Sequence, residues 1–297
     1  MIRRRAFAGL PVLALPARAQ AWPENRPFRC IVPFPPGGTV DTVARLLTPL
    51  MAEGLGQPIV VENRGGASGT IGTDLIAKAA PDGHSFGFVL STHSVNPHMI
   101  PRLPFDTVAD FAPVGLAGGA PVLIGAHPAS PFRTMGDIVA AGRRAGQEPA
   151  FGSIGNGSTG HLTFSRLQTI TGARFLHTPF RGGPAVQAAV AGTVPLVIAS
   201  TVVVGPQVSG GTLRGVAVSS PERSSAHPAV PTIAEQGFPG FAVESWVGVL
   251  APARTPAHAV ARLNRELNRA LEQAETRQRF AAAGMIPRPG TPEGFGA

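Results

Sequence analysis

The strongest constraint on this chain is a construction it uses twice: an apolar strand, a glycine-bearing turn and the start of a helix. The first copy is Cys30-Ile31-Val32-Pro33-Phe34-Pro35-Pro36-Gly37-Gly38-Thr39-Val40-Asp41. Residues 28–32 read as a strand, and Val40, Val43, Leu47, Leu50 and Met51 then recur at helical spacing. Two glycines without Cβ let a ligand approach the backbone closely. The first turn of the helix leaves its N–H donors unpaired, so an anion fits there. The second copy runs from a short strand at 149–153 through Ile154-Gly155-Asn156-Gly157-Ser158-Thr159-Gly160-His161 into a helix reaching 170. Two such turns, more than a hundred residues apart, predict two α/β lobes facing one small carboxylate.

Between and beyond them the pattern alternates. A strand at 28–32, a helix at 40–55 with Pro49 as a break, a strand at 58–62, a helix at 70–80 and a strand at 85–90 form a β-α-β-α-β unit. That order calls for a mostly parallel sheet with ligands at the carboxyl ends of its strands. The polar loop 91–96 leaves at that end and makes Ser91 and Thr92 a third candidate wall. Two apolar strand-like runs at 114–126 lead into a second alternation, from a helix at 135–145 to a strand at 213–219. A strand at 242–250 returns the chain, and 256–283 reads as an amphipathic helix pair with Val260, Leu263, Leu267, Leu271 and Ala274 on one stripe. The predicted division is 20–122 with 246–297 as one lobe and 123–245 as the other. The final residues read as the start of a further helix.

Residues 1–19 are of a different kind. Arg3-Arg4-Arg5, an apolar stretch and Ala17-Arg18-Ala19 read as a secretory signal too short to span a bilayer. Arg4-Arg5-Ala6-Phe7 also fits a twin-arginine leader. Its removal takes four arginines and no acid, leaving 21 basic against 17 acidic residues, a net +4. No block of five or six like charges exists, so nucleic acid is not an expected partner. The single cysteine, Cys30, sits in an apolar strand and reads as a small core residue.

Several chemistries are weighed against this background. Gly155-Asn156-Gly157-Ser158-Thr159-Gly160 matches G-x-G-x-x-G, but dinucleotide binding needs an acid about twenty residues on. No Asp or Glu lies between Glu148 and Glu222. Over those 73 residues the only full charges are Arg166, Arg174, Arg181 and Arg214, a field that favours a bound carboxylate. The lone lysine, Lys78, follows no glycine loop, and one cysteine with eight scattered histidines makes no metal motif. No cofactor and no metal is expected. Ser158 and His161, three apart, raise a hydrolase as an alternative, although Ser158 is also a natural helix cap.

The candidate ligand-binding residues are Phe34, Pro36, Gly37, Gly38, Thr39 and Asp41 in the first turn and Ser153, Asn156, Gly157, Ser158, Thr159 and His161 in the second. Ser91, Thr92, Arg181, Ser200 and Thr201 complete the set at the ends of neighbouring strands. Asp41 reads either as a carboxylate offsetting the helix dipole or as a pocket wall. Arg181 reads as a pocket-edge cation or a solvated loop residue. No residue is assigned a catalytic role.

With these residues in place, the chain resembles the periplasmic solute receptors of tripartite tricarboxylate transporters, the Bug family. The markers are Ile31-Val32-Pro33-Phe34-Pro35-Pro36-Gly37-Gly38 with Asp41, Val60-Val61-Glu62-Asn63-Arg64, Ala79-Ala80-Pro81-Asp82-Gly83, Asp110-Phe111-Ala112-Pro113 and Gly152-Ser153 with Gly155-Asn156-Gly157-Ser158 and His161. Val230-Pro231-Thr232 and Gly248 with Leu250-Ala251-Pro252 extend the match. The resemblance implies a two-lobe periplasmic binding protein of the type II kind, joined by two crossing hinge strands and working as a monomer. It implies a small organic anion held at loops 36–41 and 153–161 and passed to membrane permease subunits. A sensor partner of a membrane kinase shares that fold and remains an alternative. Phe180 and Arg181 stand where the family commonly has Tyr and Lys, so the facing wall of this pocket differs.

Overall fold

The computed structural model describes residues 22–297, and the expected leader at 1–19 lies outside the described residues. The first part of the chain forms β1 (Phe28–Val32), α1 (Thr39–Leu55), β2 (Ile59–Asn63), α2 (Thr70–Ala77), β3 (Ser85–Leu90), α3 (Thr92–Met99) and β4 (Phe111–Ala126). Then come α4 (Met135–Gly142), β5 (Ala150–Ser153), α5 (Thr159–Thr171), β6 (Leu176–Pro179), α6 (Pro184–Val190), β7 (Leu196–Ser200), α7 (Thr201–Ser209) and β8 (Arg214–Val218). The return consists of β9 (Glu244–Pro252), α8 (Ala257–Glu272), α9 (Ala274–Ala282), β10 (Ile286–Pro287) and α10 (Pro292–Gly296).

These strands make two sheets that share β4. In the first, β2, β1 and β3 run parallel and β9 joins antiparallel, followed by the first part of β4. In the second, the last part of β4 lies between β7 and β8, and β5 and β6 extend it parallel to β7. Each sheet is covered by helices, giving two lobes with separate cores. One is built on Phe28, Val32, Val43, Leu47, Phe86 and Leu267, the other on Ile124, Ile138, Phe151, Phe164 and Ile198. Val202 joins the first core from α7, while Ile154 and Val203 pack against cores of both lobes.

The lobes are joined by β4 and β9, paired from Phe111↔Pro252 to Pro121↔Glu244. The sequence predicts two runs where the structure has one strand of 16 residues. Within that strand Gly118-Gly119 is a place where a side chain has no room. A Cβ at Gly118 would lie 2.6 Å from the Ile286 carbonyl oxygen, and one at Gly119 would lie 2.1 Å from Glu244 Oε1. Two further expectations are corrected. Pro49 does not interrupt α1; it is exposed, so the carbonyl deprived of its N–H partner faces water. Residues 91–96 are not a loop but open α3, whose buried face consists of Thr92, His93 and Asn96 and therefore carries no apolar period.

Helix α8 supports α1 from behind. Its buried stripe includes Leu263, Leu267 and Leu271, and within that stripe lies Glu266, 4% exposed, with Arg269 Nε at 2.8 Å and Arg262 Nε at 3.2 Å. The same two arginines donate to the carbonyls of Gly54 and Leu50 near the end of α1. The amino end of α1 is thus left to face the other lobe. Trp22 packs edge-on against Phe28 and Trp246 against Phe295, which assigns both tryptophans to packing.

Candidate functional site

The first glycine turn ends at Gly38, the cap residue of α1, which brings no side chain to cover the helix donors. Phe34 and Thr39 are buried, whereas Pro36 and Gly37 are exposed. Gly37, at φ +78°, turns its own N–H onto Asp41 Oδ2 at 2.9 Å. Asp41 also accepts from Asn63 Nδ2 (2.8 Å) and Arg45 Nε (2.9 Å). Burial alone would raise this carboxyl; the Gly37 amide, Asn63 and Arg45 outweigh it and hold the group below the usual carboxylate range. Asp41 therefore braces the turn, with its charge answered by Arg45.

The second turn is braced by hydroxyls and imidazoles. Ser158 caps α5 by accepting from the His161 backbone N–H at 3.3 Å. His161 Nδ1 accepts from the Gly157 N–H (3.2 Å), which requires that nitrogen to be bare. The His161 ring stacks on His177 with centroids 4.2 Å apart, and His177 Nε2 lies 2.6 Å from Ser153 Oγ. Loss of solvent pulls His161 below the ordinary imidazole value; burial first, and His161 second, push His177 down to about 4. Both rings are neutral near pH 7. Ser158 and His161 meet through the backbone N–H, and the side-chain geometry is that of a cap.

The two turns face each other. Between the lobes, bounded by the first turn, by Ile154 at the head of the second and by Gly182 and Gly183, lies a cavity of about 20 Å³, room for roughly one water. Phe34, Val40 and Leu90 line it from one lobe, and Ile154, Val186 and Val203 from the other. Gly38, Thr39, Gly182 and Gly183 complete the lining. Around it the lobes touch. Ser91 Oγ lies 2.9 Å from Thr159 Oγ1 and 3.1 Å from Ser245 Oγ, all three buried. Val95 and Met99 approach Gly157, and Pro35 approaches Gly182, where a Cβ would come within 3.2 Å of the proline ring. Gly182 itself has φ +79°, which glycine adopts without strain.

A third turn, Ala67–Gly69, was not among the expected site residues, and it reaches across the seam. The Ser68 hydroxyl donates to the Asn156 carbonyl at 2.8 Å, and Asn96 Nδ2 donates to the Ser68 carbonyl at 3.2 Å. Ala67 and Ser68 both hold positive φ, +46° and +54°, an arrangement that costs non-glycine residues about 1–2 kcal/mol each. Only Gly66 and Gly69, on either side of Ala67 and Ser68, hint at such a turn in the sequence. His177 was also missed, because its contact depends on the register that sets β6 beside β5.

Of the predicted residues only Phe34, Gly38 and Thr39 line the cavity; Pro36, Gly37, Asp41 and Ser91 and the second-turn residues Ser153, Asn156, Gly157, Ser158, Thr159 and His161 lie outside its lining, and the others fall further away. Thr201 donates its hydroxyl to the Gly284 carbonyl (3.1 Å), Ser200 caps α7 through the Val202 N–H, and Thr92 is buried in the first turn of α3. Arg181 is exposed, one residue before the cavity-lining Gly182. Cys30 is buried in the core, and burial pushes its thiol up.

Two outcomes follow from this geometry. Ser68→Ala removes the cross-lobe bond and keeps the left-handed strain, whereas Ser68→Gly removes the bond and relieves the strain. In urea melts the glycine variant is expected to be more stable than the alanine variant by about 1 kcal/mol, and in both the distance between lobe labels measured by fluorescence transfer lengthens. Equal stabilities and an unchanged distance would contradict the assignment. The histidine pair gives a pH dependence. The unfolded chain binds a proton at His177 near pH 6.5 that the folded chain refuses until about 4. Stability is therefore full above pH 6.5 and declines as pH falls toward 4; His177→Gln should flatten the slope of Tm against pH in that window, and an unchanged slope would count against the account.

Comparison with known proteins fits this geometry. The sequence profile described as "Tripartite tricarboxylate transporter family receptor" matches residues 43–291. Protein BugT of Bordetella pertussis is 37% identical over 292 residues, 97% of this chain and 89% of BugT. The solved structure of MatC from Rhodopseudomonas palustris with bound malate is similar at TM-score 0.86 and 35% identity, covering 91% of this chain and 94% of MatC. A second R. palustris protein, with adipate, is similar at TM-score 0.88 and 31% identity, covering 92% of each chain. The matches run through both lobes and the strands that join them, and the chain belongs to the receptor family of the tripartite tricarboxylate transporters.

Proposed function

We propose that this protein is a periplasmic receptor that captures a small carboxylate between its lobes and hands it to the membrane permease subunits of a tripartite tricarboxylate type transporter. The observation that carries this reading is an interlobe cavity bounded by Phe34, Gly38, Thr39 and Val40 of the first glycine turn and, from the other lobe, by Ile154 at the head of the second turn with Gly182 and Gly183, in a stretch free of acidic residues. In this reading the bodies that part and close are 20–122 with 246–297, and 123–245, bending along β4 and β9. The carboxylate meets amides of Gly38 and Thr39 on one side and the turn of Ser153, Asn156, Gly157, Ser158, Thr159 and His161 on the other. Uncharged donors at helix starts suit an anion that must later be released. The malate and adipate held by two relatives support this class of ligand. The leader at 1–19 delivers the chain to the periplasm, where it works as a monomer without chemical change to its solute.

A thermal-shift panel of mono-, di- and tricarboxylates, amino acids and aromatic acids tests the proposal. A carboxylate at about a hundred times its Kd adds about 2.7 kcal/mol and raises Tm by several degrees. No response to any carboxylate would contradict it.

A further inference from the structure

We infer that Asn156 is a self-modification site: its side-chain amide loses ammonia through a cyclic imide when the lobes part, and closure of the lobes protects it. The inference goes beyond the receptor reading, because the chemistry needs no solute. Of the asparagines in the chain, Asn25, Asn63, Asn264 and Asn268 precede arginine and Asn96 precedes proline, whereas Asn156 precedes glycine. Without a Cβ on the following residue, the Gly157 nitrogen can approach the Asn156 side chain unhindered. Those other asparagines each have their side-chain amide in a hydrogen bond. Asn156 is exposed, and among the described residues only its backbone carbonyl is held.

The reaction balances within the chain and water. The Gly157 nitrogen bonds to Asn156 Cγ, the Cγ–Nδ2 bond breaks, and Nδ2 leaves as ammonia with the proton that the Gly157 nitrogen gives up. Water then opens the imide at either carbonyl to leave an aspartate or an isoaspartate, and nothing is oxidised or reduced. The structure shows what restrains the first step. The Ser158 N–H donates to the Gly155 carbonyl at 3.3 Å and Gly157 has φ +73°, a type II turn that sets ψ at Asn156 near about +120°. Ring closure needs the Gly157 nitrogen beside the Asn156 Cβ, and that takes a large rotation about the Asn156 Cα–C bond. The rotation swings the Asn156 carbonyl off the Ser68 hydroxyl, which holds it from the other lobe at 2.8 Å, and carries the Gly157 N–H off His161 Nδ1 at 3.2 Å. Ser68 withdraws when the lobes part, so opening releases the restraint. The product places a carboxylate in the stretch between Glu148 and Glu222 that otherwise has no acid, where it repels the anion of the receptor reading.

Mass spectrometry of the mature protein held in warm, mildly alkaline buffer follows the conversion in the tryptic peptide 145–166, where Asn156 is the single asparagine. Asn156 should turn into aspartate and isoaspartate faster than any other asparagine of the chain, and more slowly than in the same chain unfolded in urea. Ser68→Ala and Ser68→Gly should each speed the conversion about threefold or more, the worth of one neutral hydrogen bond, and Asn156→Gln should abolish it. An Asn156 that stays intact in the folded protein while the unfolded chain converts it would overturn the site. Equal rates in the parent protein and both Ser68 variants would overturn its protection by closure. Neither readout involves a solute, so either failure leaves the receptor reading standing.

Discussion

Everything in this molecule depends on a backbone fact: the first turn of a helix has N–H groups with no partner in the helix. Chain order and packing bring two such ends face to face. Helix α1 starts at Gly38, a cap with no side chain, and its far end is held by Arg262 and Arg269 from α8. Helix α5 starts at Ser158, whose hydroxyl is occupied by the His161 N–H. Each turn is stiffened from outside the cavity, by Asp41 with Arg45 and Asn63 in one lobe and by Ser153 with His177 and His161 in the other. The polar atoms that brace the turns are thereby kept apart from the apolar walls that meet between them.

The seam is lightly built. Its polar contacts are a few neutral hydrogen bonds, Ser68 to Asn156 and Ser91 to Thr159, each worth on the order of 1 kcal/mol net. Against them stands the strain of two non-glycine residues in left-handed backbone. A solute can shift a population between open and closed arrangements only by its differential affinity for the two. The joining strands fit the same requirement. Two paired strands with glycines where their neighbours crowd in can bend at the junction while each lobe keeps its own core.

Much of this was legible in the sequence because glycine and proline punctuate the strand-to-helix turns and the apolar periods between them are clean. The helices α1, α5 and α8 and the return by β9 are where the pattern places them. What was hidden lies in three kinds of place. Helix α3 buries polar residues, so periodicity could not reveal it. Strand β4 is one strand where two runs were expected, and it carries glycines for lack of space. Ser68 and His177 act through a left-handed turn and a neighbouring strand, and no local spacing announces either. Thr201, at the end of a strand like the others, turns instead toward Gly284.

The most direct measurement is a crystal structure of the protein with a carboxylate bound. The account predicts one carboxylate group with its oxygens about 2.7–3.2 Å from backbone nitrogens of both glycine turns, 36–41 and 153–159, and no arginine in contact with it. A carboxylate held by one lobe alone, or anchored on a guanidinium away from the seam, would contradict it.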